Sequence, residues 1–112
     1  MVTSYIPEKG DIILLDFDPS SGSEIMKRRL AFVISRELFN AHVGFAVVAP
    51  ITSTIRGIRL EMELPAEMKT TGSVLVYQLK SLDFLHRRAK FIEKAPVHVI
   101  DQVSALAELI LK

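Results

Sequence analysis

A small, strongly bent β-sheet or barrel with a C-terminal helix is the mainly β fold that this chain of 112 residues predicts. Short apolar runs of strand length, roughly five to seven of them, recur at spacings of about 8–12 residues between Gly, Pro, Asn and Ser. Helical periodicity is sustained only over the last stretch, PVHVIDQVSALAELILK. The length is close to the commonest domain size, so residues 1–112 are expected to form a single domain. At 49% hydrophobic the chain has the material for a core. A chain this short still buries only a moderate share of its surface, so an oligomer is a natural expectation.

The elements follow in order. Residues 1–9 form an arm punctuated by Pro7 and by Lys9-Gly10. Gly10 to Phe17, GDIILLDF, is an apolar run of strand length. A polar loop follows, with turn residues Pro19, Ser20, Ser21, Gly22 and Ser23, one carboxylate, Glu24, and three consecutive cations, Lys27, Arg28 and Arg29. Leu30 to Ser35, LAFVIS, is a second strand, and Arg36 to Val43, ending at Gly44, a turn or one short helical turn. Phe45 to Thr54, FAVVAPITST, is a third strand. Its Pro50 lacks a ladder donor and so predicts an edge, a bend or a stop.

Residues 55–58 are a connection. Arg59 to Pro65 alternates Leu60, Met62 and Leu64 with Arg59, Glu61 and Glu63, as a half-buried strand does. Thr70-Thr71-Gly72 is a turn. Ser73 to Leu82, SVLVYQLKSL, is apolar on both faces and reads as one long central strand. Asp83 to His86 reads as a helical turn, and Arg87 to Lys94, with Phe91 and Ile92 among basic residues, as a short strand. Pro96 opens the helix at its favoured first position. Ile100, Val103, Ala107 and Ile110 then recur at helical spacing, with Val99 and Leu106 widening the stripe.

Charge and composition exclude several classes. Fourteen basic residues against 13 acidic ones leave a formal net charge of +1, so only the distribution of charge can point to nucleic acid. The absence of cysteine removes disulfides, thiolate nucleophiles and zinc–thiolate sites. The start MVTSYIPEKGD carries no secretory signal pattern. No apolar stretch approaches the roughly 20 residues that span a bilayer. A soluble cytoplasmic protein with no membrane partner is the expectation. A charged loop held between apolar strands suits binding or catalysis; it equally describes a solvated hairpin.

Several spaced words resemble the MazF/PemK toxins of bacterial type II toxin–antitoxin systems. GDIILLDFDPSSGSE is similar to that family's opening strand and loop, and RRLAFVIS to its R-R-P-A-hydrophobic-run-S. Phe39-Asn40, APITS at Ala49 to Ser53, and the stretch from Gly72 to Asp83 follow in family order, so the resemblance covers nearly the whole chain. It implies an SH3-like barrel of the CcdB–PemK type with a C-terminal helix, and a homodimer. It also implies a metal-independent, sequence-specific endoribonuclease that cuts single-stranded mRNA, leaving 2′,3′-cyclic phosphate and 5′-hydroxyl ends and inhibiting translation and growth. The implied partners are the RNA and a cognate MazE/PemI-like antitoxin whose acidic, disordered tail blocks the RNA groove.

By this match Arg29 is the catalytic arginine, Thr52 the catalytic threonine and Glu24 an acidic loop residue used in some members. Arg28 replaces Arg29 if the loop register shifts by one. The chain departs from the pattern at Leu30, where proline would restrain the preceding residue. It departs again at Ile25-Met26-Lys27, where a polar, Gly-rich segment is usual, and at Tyr77, where an acid or amide is usual and substrate preference is affected.

Cleavage to a cyclic phosphate needs removal of the 2′ proton, neutralisation of phosphoryl charge and protonation of the 5′-oxygen. No His/Asp/Glu cluster has metal-ligand spacing, so no metal or cofactor is expected. A guanidinium suits phosphate as a planar two-pronged donor. With a pKa above about 12 it is a poor general base, so Arg29 is assigned transition-state stabilisation and proton donation to the leaving group. Thr52 would hydrogen-bond a phosphoryl oxygen, and Glu24 would orient Arg29 or accept the 2′ proton.

Candidate RNA-binding residues are Lys27, Arg28, Ser53, Gln78, Lys80, Arg87 and Arg88 by charge or hydrogen bonding, and Phe17 by base stacking. For the basic residues a solvated face is the plain alternative, and for Phe17 the core. His42, His86 and His98 lie outside the loop and away from Thr52 in sequence and are expected to be structural. Two other readings remain: a CcdB-like DNA gyrase poison, which does not need the Arg29–Thr52 pair, and a catalytically weakened binding module, suggested by Leu30 and the apolar loop.

Overall fold

The first strand, β1 (Asp11–Asp18), reads as an unbroken apolar run because it is buried on both faces. The structure, a computed structural model, describes residues 5–18, 27–54, 57 and 59–112. Glu24, the turn residues 19–23 and the Ile25-Met26 pair lie outside the described residues, as does the side chain of Lys27. Along β1 the side chains alternate between two hydrophobic clusters, Ile12 in one and Ile13, Leu15 and Phe17 in the other.

The remaining elements are β2 (Lys27–Val33), α1 (Glu37–Val43), β3 (Ala46–Thr52), β4 (Glu61–Glu63), β5 (Ser73–Leu75), β6 (Lys80–Leu82), β7 (Lys90–Lys94) and α2 (Val97–Leu111). Among the described residues the strands form one seven-stranded sheet in the order β4-β5-β3-β2-β1-β7, with β6 also beside β3. The pairings of β1 with β2 and β7, of β3 with β2, β5 and β6, and of β4 with β5 are all antiparallel. One cluster lies between the sheet and α2, where Ile12, Phe32, Ala49, Ile51 and Val74 meet Val99, Val103 and Ala107. Ile100, Leu106 and Ile110 flank that line half-buried, so the expected stripe is the buried one. The other cluster gathers Ile13, Leu15, Phe17, Ala31, Val33, Ala46, Val48, Leu82 and Phe84 on the opposite face. None of the helices is long and apolar enough to cross a membrane, among the described residues.

Six elements differ from expectation. β2 begins at Lys27, so the three cations belong to a strand and not to the loop. Pairing extends it: Leu15 faces Arg29, Asp16 faces Arg28 and Asp18 faces Lys27. Within 36–43, expected as a turn or one short helical turn, Glu37–Val43 form a seven-residue helix. Its buried Asn40 donates to the carbonyls of Pro7 at 2.8 Å and Ser35 at 3.2 Å, tying it down to the arm and to the end of β2.

β3 lies inside the sheet despite Pro50. Val47 directs its N–H to Ser35 Oγ and its C=O to the Ile34 N–H, both on the β2 side. Alternation therefore turns the nitrogen of Pro50 to the other edge. There the partner changes from β6, ending opposite Val48, to β5, beginning opposite Ile51, and no donor is needed.

The expected long strand over 73–82 is broken at the same place by a 3-10 turn, Val76–Gln78. Ile51 faces Val74, whereas Val48, three residues back, faces Lys80, six residues on, so the turn supplies three surplus residues. The last strand begins at Lys90 and not at Arg87, because 84–88 is a run of turns ending in Arg88 at φ 54°. Pro96 stands as the N-cap of α2, one position before the first helical residue.

Candidate functional site

Alternation places Phe17, Arg29, Thr52 and Lys80 on one face of the sheet. Arg29 shares the face of Ala31, two residues along β2, and Lys80 faces Val48, both neighbours lying in the Phe17 cluster. The β2–β3 ladder pairs Val33 with Val48 and Ala31 with Pro50. Continued by two residues, the same register sets Arg29 across from Thr52.

Two cations meet on one ring. The Arg29 guanidinium carbon lies 5.6 Å from the Phe17 ring centroid, and Lys80 Nζ lies 4.4 Å from it. Laid flat, the order β1-β2-β3-β6 would separate β1 from β6 by three strand spacings, roughly 14 Å. The lysine's reach and the curl of the sheet toward this face close that distance. Phe17 itself is 2% exposed, so its ring is a buried floor and not a stacking surface for a base, correcting the RNA-stacking role expected of it.

Thr52, half-buried at the end of β3, accepts the Thr54 N–H on Oγ1 at 3.2 Å. That bond leaves the hydroxyl proton available for donation. Ser53 beside it is exposed. Thr52 is backed by Gly72: at φ +130°, a Cβ on Gly72 would stand 2.4 Å from the Thr52 carbonyl oxygen. The chain passes this point only as glycine.

The neighbouring arginines serve the opposite face. Arg28, one residue from Arg29, points the other way and meets Asp16 at 3.1 Å, while its Nη2 donates to the carbonyls of Leu14 at 3.3 Å and Arg88 at 2.9 Å. Arg88 grips the same carboxylate with two bonds, 2.8 and 2.9 Å. Arg87 donates through Nη1 to the carbonyls of Asp16 at 3.1 Å and Phe17 at 2.8 Å, and through Nε to Asp83 at 2.8 Å. The hydrogen bonds from Arg88, then those from Arg28, hold the Asp16 carboxyl below the usual range against the effect of burial. Arg28, Arg87 and Arg88 therefore brace the end of β1, Arg28 from the face opposite Arg29.

Gln78 sits exposed on the 3-10 turn, donating to the Tyr77 hydroxyl at 3.3 Å. His86 lies 3.1 Å from Asp83, His98 lies 3.9 Å from Glu67, and His42 is exposed on α1. Sequence reasoning missed Asp16 and Gly72. The signal for Asp16 was a lone carboxylate in an apolar run. Gly72 read as an ordinary turn glycine.

A sequence model of the family described as "PemK-like, MazF-like toxin of type II toxin-antitoxin system" matches residues 8–111. The chain is 36% identical over 89 residues to the endoribonuclease toxin MazF of Escherichia coli K12, covering 80% of this chain and 79% of that protein. It is 37% identical over 101 residues to the endoribonuclease toxin ChpB of the same strain, covering 85% of each. The crystal structure of MazE-MazF (Form-II) from Deinococcus radiodurans matches with a TM-score of 0.88 at 34% identity, covering 96% of this chain and 97% of that one.

Proposed function

We propose, from the premise that this chain belongs to the PemK-like, MazF-like family of type II toxin–antitoxin toxins, that it is an endoribonuclease cutting single-stranded mRNA by a metal-independent route. The observation that carries this reading is the meeting of Arg29 and Lys80 on the Phe17 ring; the β2–β3 register, extended by two residues, adds Thr52 across from Arg29. Two cations and a hydroxyl on one rim form a receptor for a phosphodiester.

In the proposed step the 2′-oxygen attacks the adjacent phosphorus. The 2′-O–P bond forms, the P–O5′ bond breaks, and the products are a 2′,3′-cyclic phosphate and a 5′-hydroxyl. Arg29 neutralises the charge that builds on the phosphoryl oxygens and protonates the leaving 5′-oxygen. Thr52 donates its hydroxyl proton as a hydrogen bond to a phosphoryl oxygen. Lys80 and Ser53 hold the neighbouring backbone. Glu24, assigned from its place in the sequence, takes the 2′ proton. Lys27 joins the basic rim by the same kind of assignment.

Residues 1–112 act as one toxin domain in the bacterial cytoplasm, as a homodimer silenced by a cognate antitoxin. The 34% identity to a Deinococcus toxin crystallised as MazE-MazF supports the antitoxin.

The test is cleavage of a long, mixed-sequence single-stranded RNA in excess EDTA by the wild type, Arg29→Ala and Thr52→Ala. Discrete cuts with cyclic-phosphate ends are expected, reduced by about 10²–10³ in each variant. A folded wild type that does not cut overturns the reading in favour of the gyrase poison or the binding module.

A further inference from the structure

We infer that Phe17 is a positioning residue whose buried ring holds Arg29 and Lys80 together as one phosphate clamp; this rests on the ribonuclease reading above. With both cations within 5.6 Å of one centroid, their charges are at most about 10 Å apart, no more than a Debye length at 0.1 M salt. At that separation like charges repel. The negative face of an aromatic ring attracts each of them and offsets that repulsion.

The ring is fixed from both sides of the strand. On its own face it packs with Leu15, Val48, Leu82 and Phe84. Behind it, Arg87 holds the carbonyl of Phe17 at 2.8 Å, and Arg28 and Arg88 hold the carboxylate of Asp16. The arginines of one face thus anchor the ring that arranges the cations of the other.

This also accounts for Leu30. A proline there would hold Arg29 extended. Here Leu30 pairs with Leu14 inside the ladder and packs toward the α2 cluster, so Arg29 is held extended by β2 and at its guanidinium by Phe17. The ligand that fits is one phosphodiester bridged by both cations. The bridge is strongest when its oxygens carry the additional charge of the transition state, so the ring acts on turnover more than on binding.

The experiment compares wild type, Phe17→Leu and Phe17→Tyr on a single-stranded RNA oligonucleotide, with Arg29→Ala beside them. Phe17→Leu keeps an apolar side chain and removes the ring face; kcat is expected to fall about 5- to 30-fold with KM within threefold. Phe17→Tyr keeps the ring face and is expected to recover most of kcat. A Phe17→Leu protein with wild-type kcat, or a Phe17→Tyr protein as slow as Phe17→Leu, overturns the inference while the ribonuclease reading stands. A wild type that does not cut defeats the ribonuclease reading instead. NMR of the wild type decides the clamp without any variant or any activity: the Lys80 Hε and Arg29 Hδ resonances are expected upfield from the ring current, and random-coil positions overturn it.

Discussion

Replacing Gly72 with alanine should damage the site more than the fold, and the size of the effect can be worked out from two contacts. A Cβ on Gly72 would stand 2.4 Å from the Thr52 carbonyl oxygen and 3.2 Å from Ile51 Cγ2. Reaching ordinary contact with that oxygen requires about 1 Å of movement between β5 and the end of β3, and misplacement of that size costs about 10²-fold in rate. The positive φ adds strain of about 1–3 kcal/mol for an L side chain. Gly44 is the control: it caps α1 at φ +76°, but a Cβ there meets nothing within 4 Å. Gly44→Ala therefore carries the left-handed strain alone, about 1–2 kcal/mol, with cleavage unaltered. The assay is calorimetric Tm together with initial cleavage rates well below both transitions. Gly72→Ala should lose about 10²-fold in kcat/KM and melt below Gly44→Ala. Equal cleavage by the two variants would refute the claim that Gly72 sets the position of Thr52.

Acid should unfold the protein through its braced carboxylates. Arg88 and Arg28 hold Asp16 low, and Arg87 does the same for Asp83. At Glu93 burial pushes upward, but the hydrogen bonds from Thr70 and Lys69 outweigh it and the net shift is downward. A depressed folded pKa contributes stability that is present above the unfolded value, about 4, and is lost as pH falls through the folded one. Tm is therefore expected to hold from pH 7 to about 5 and fall below about 4. Asp16→Asn should start lower at pH 7 and fall less; acid limbs of equal slope in the two proteins would contradict the bracing. Asn40→Ala strands two carbonyls, of Pro7 and Ser35, and should cost about 1–3 kcal/mol, or about 5–15 °C in Tm, with kcat unaltered below the transition. A Tm within 2 °C of wild type would count against Asn40 as the anchor of α1.

The parts of the fold legible in the sequence are those set by local periodicity. The stripe through Val99, Val103 and Ala107 and the apolar run of β1 both declare their burial along the chain. The three cations Lys27, Arg28 and Arg29 did not, because placing the start of β2 at Leu30 hid the alternation that sends Arg28 to Asp16 and Arg29 to Phe17. Arg29 and Thr52 were identifiable through family resemblance alone. Their opposition depends on the register of a ladder between residues far apart in the chain, which no local window contains.

Two misreadings share one cause, and that cause shapes the site. Pro50 was expected to mark an edge, bend or stop, and 73–82 was expected to run as one strand. Both expectations assume that a neighbouring strand pairs continuously. At Pro50 it does not. Its nitrogen faces the edge where no donor is required, and there the neighbouring strand leaves β3 for the 3-10 turn and returns shifted by three residues. Without that shift a different residue would face Thr52. With it, Ser73 does, Gly72 abuts the Thr52 carbonyl, and Lys80 faces Val48 within reach of the Phe17 ring. The proline that looked like a defect in a strand is the point at which one strand is allowed to have two partners, and the candidate site is assembled from what those two partners carry.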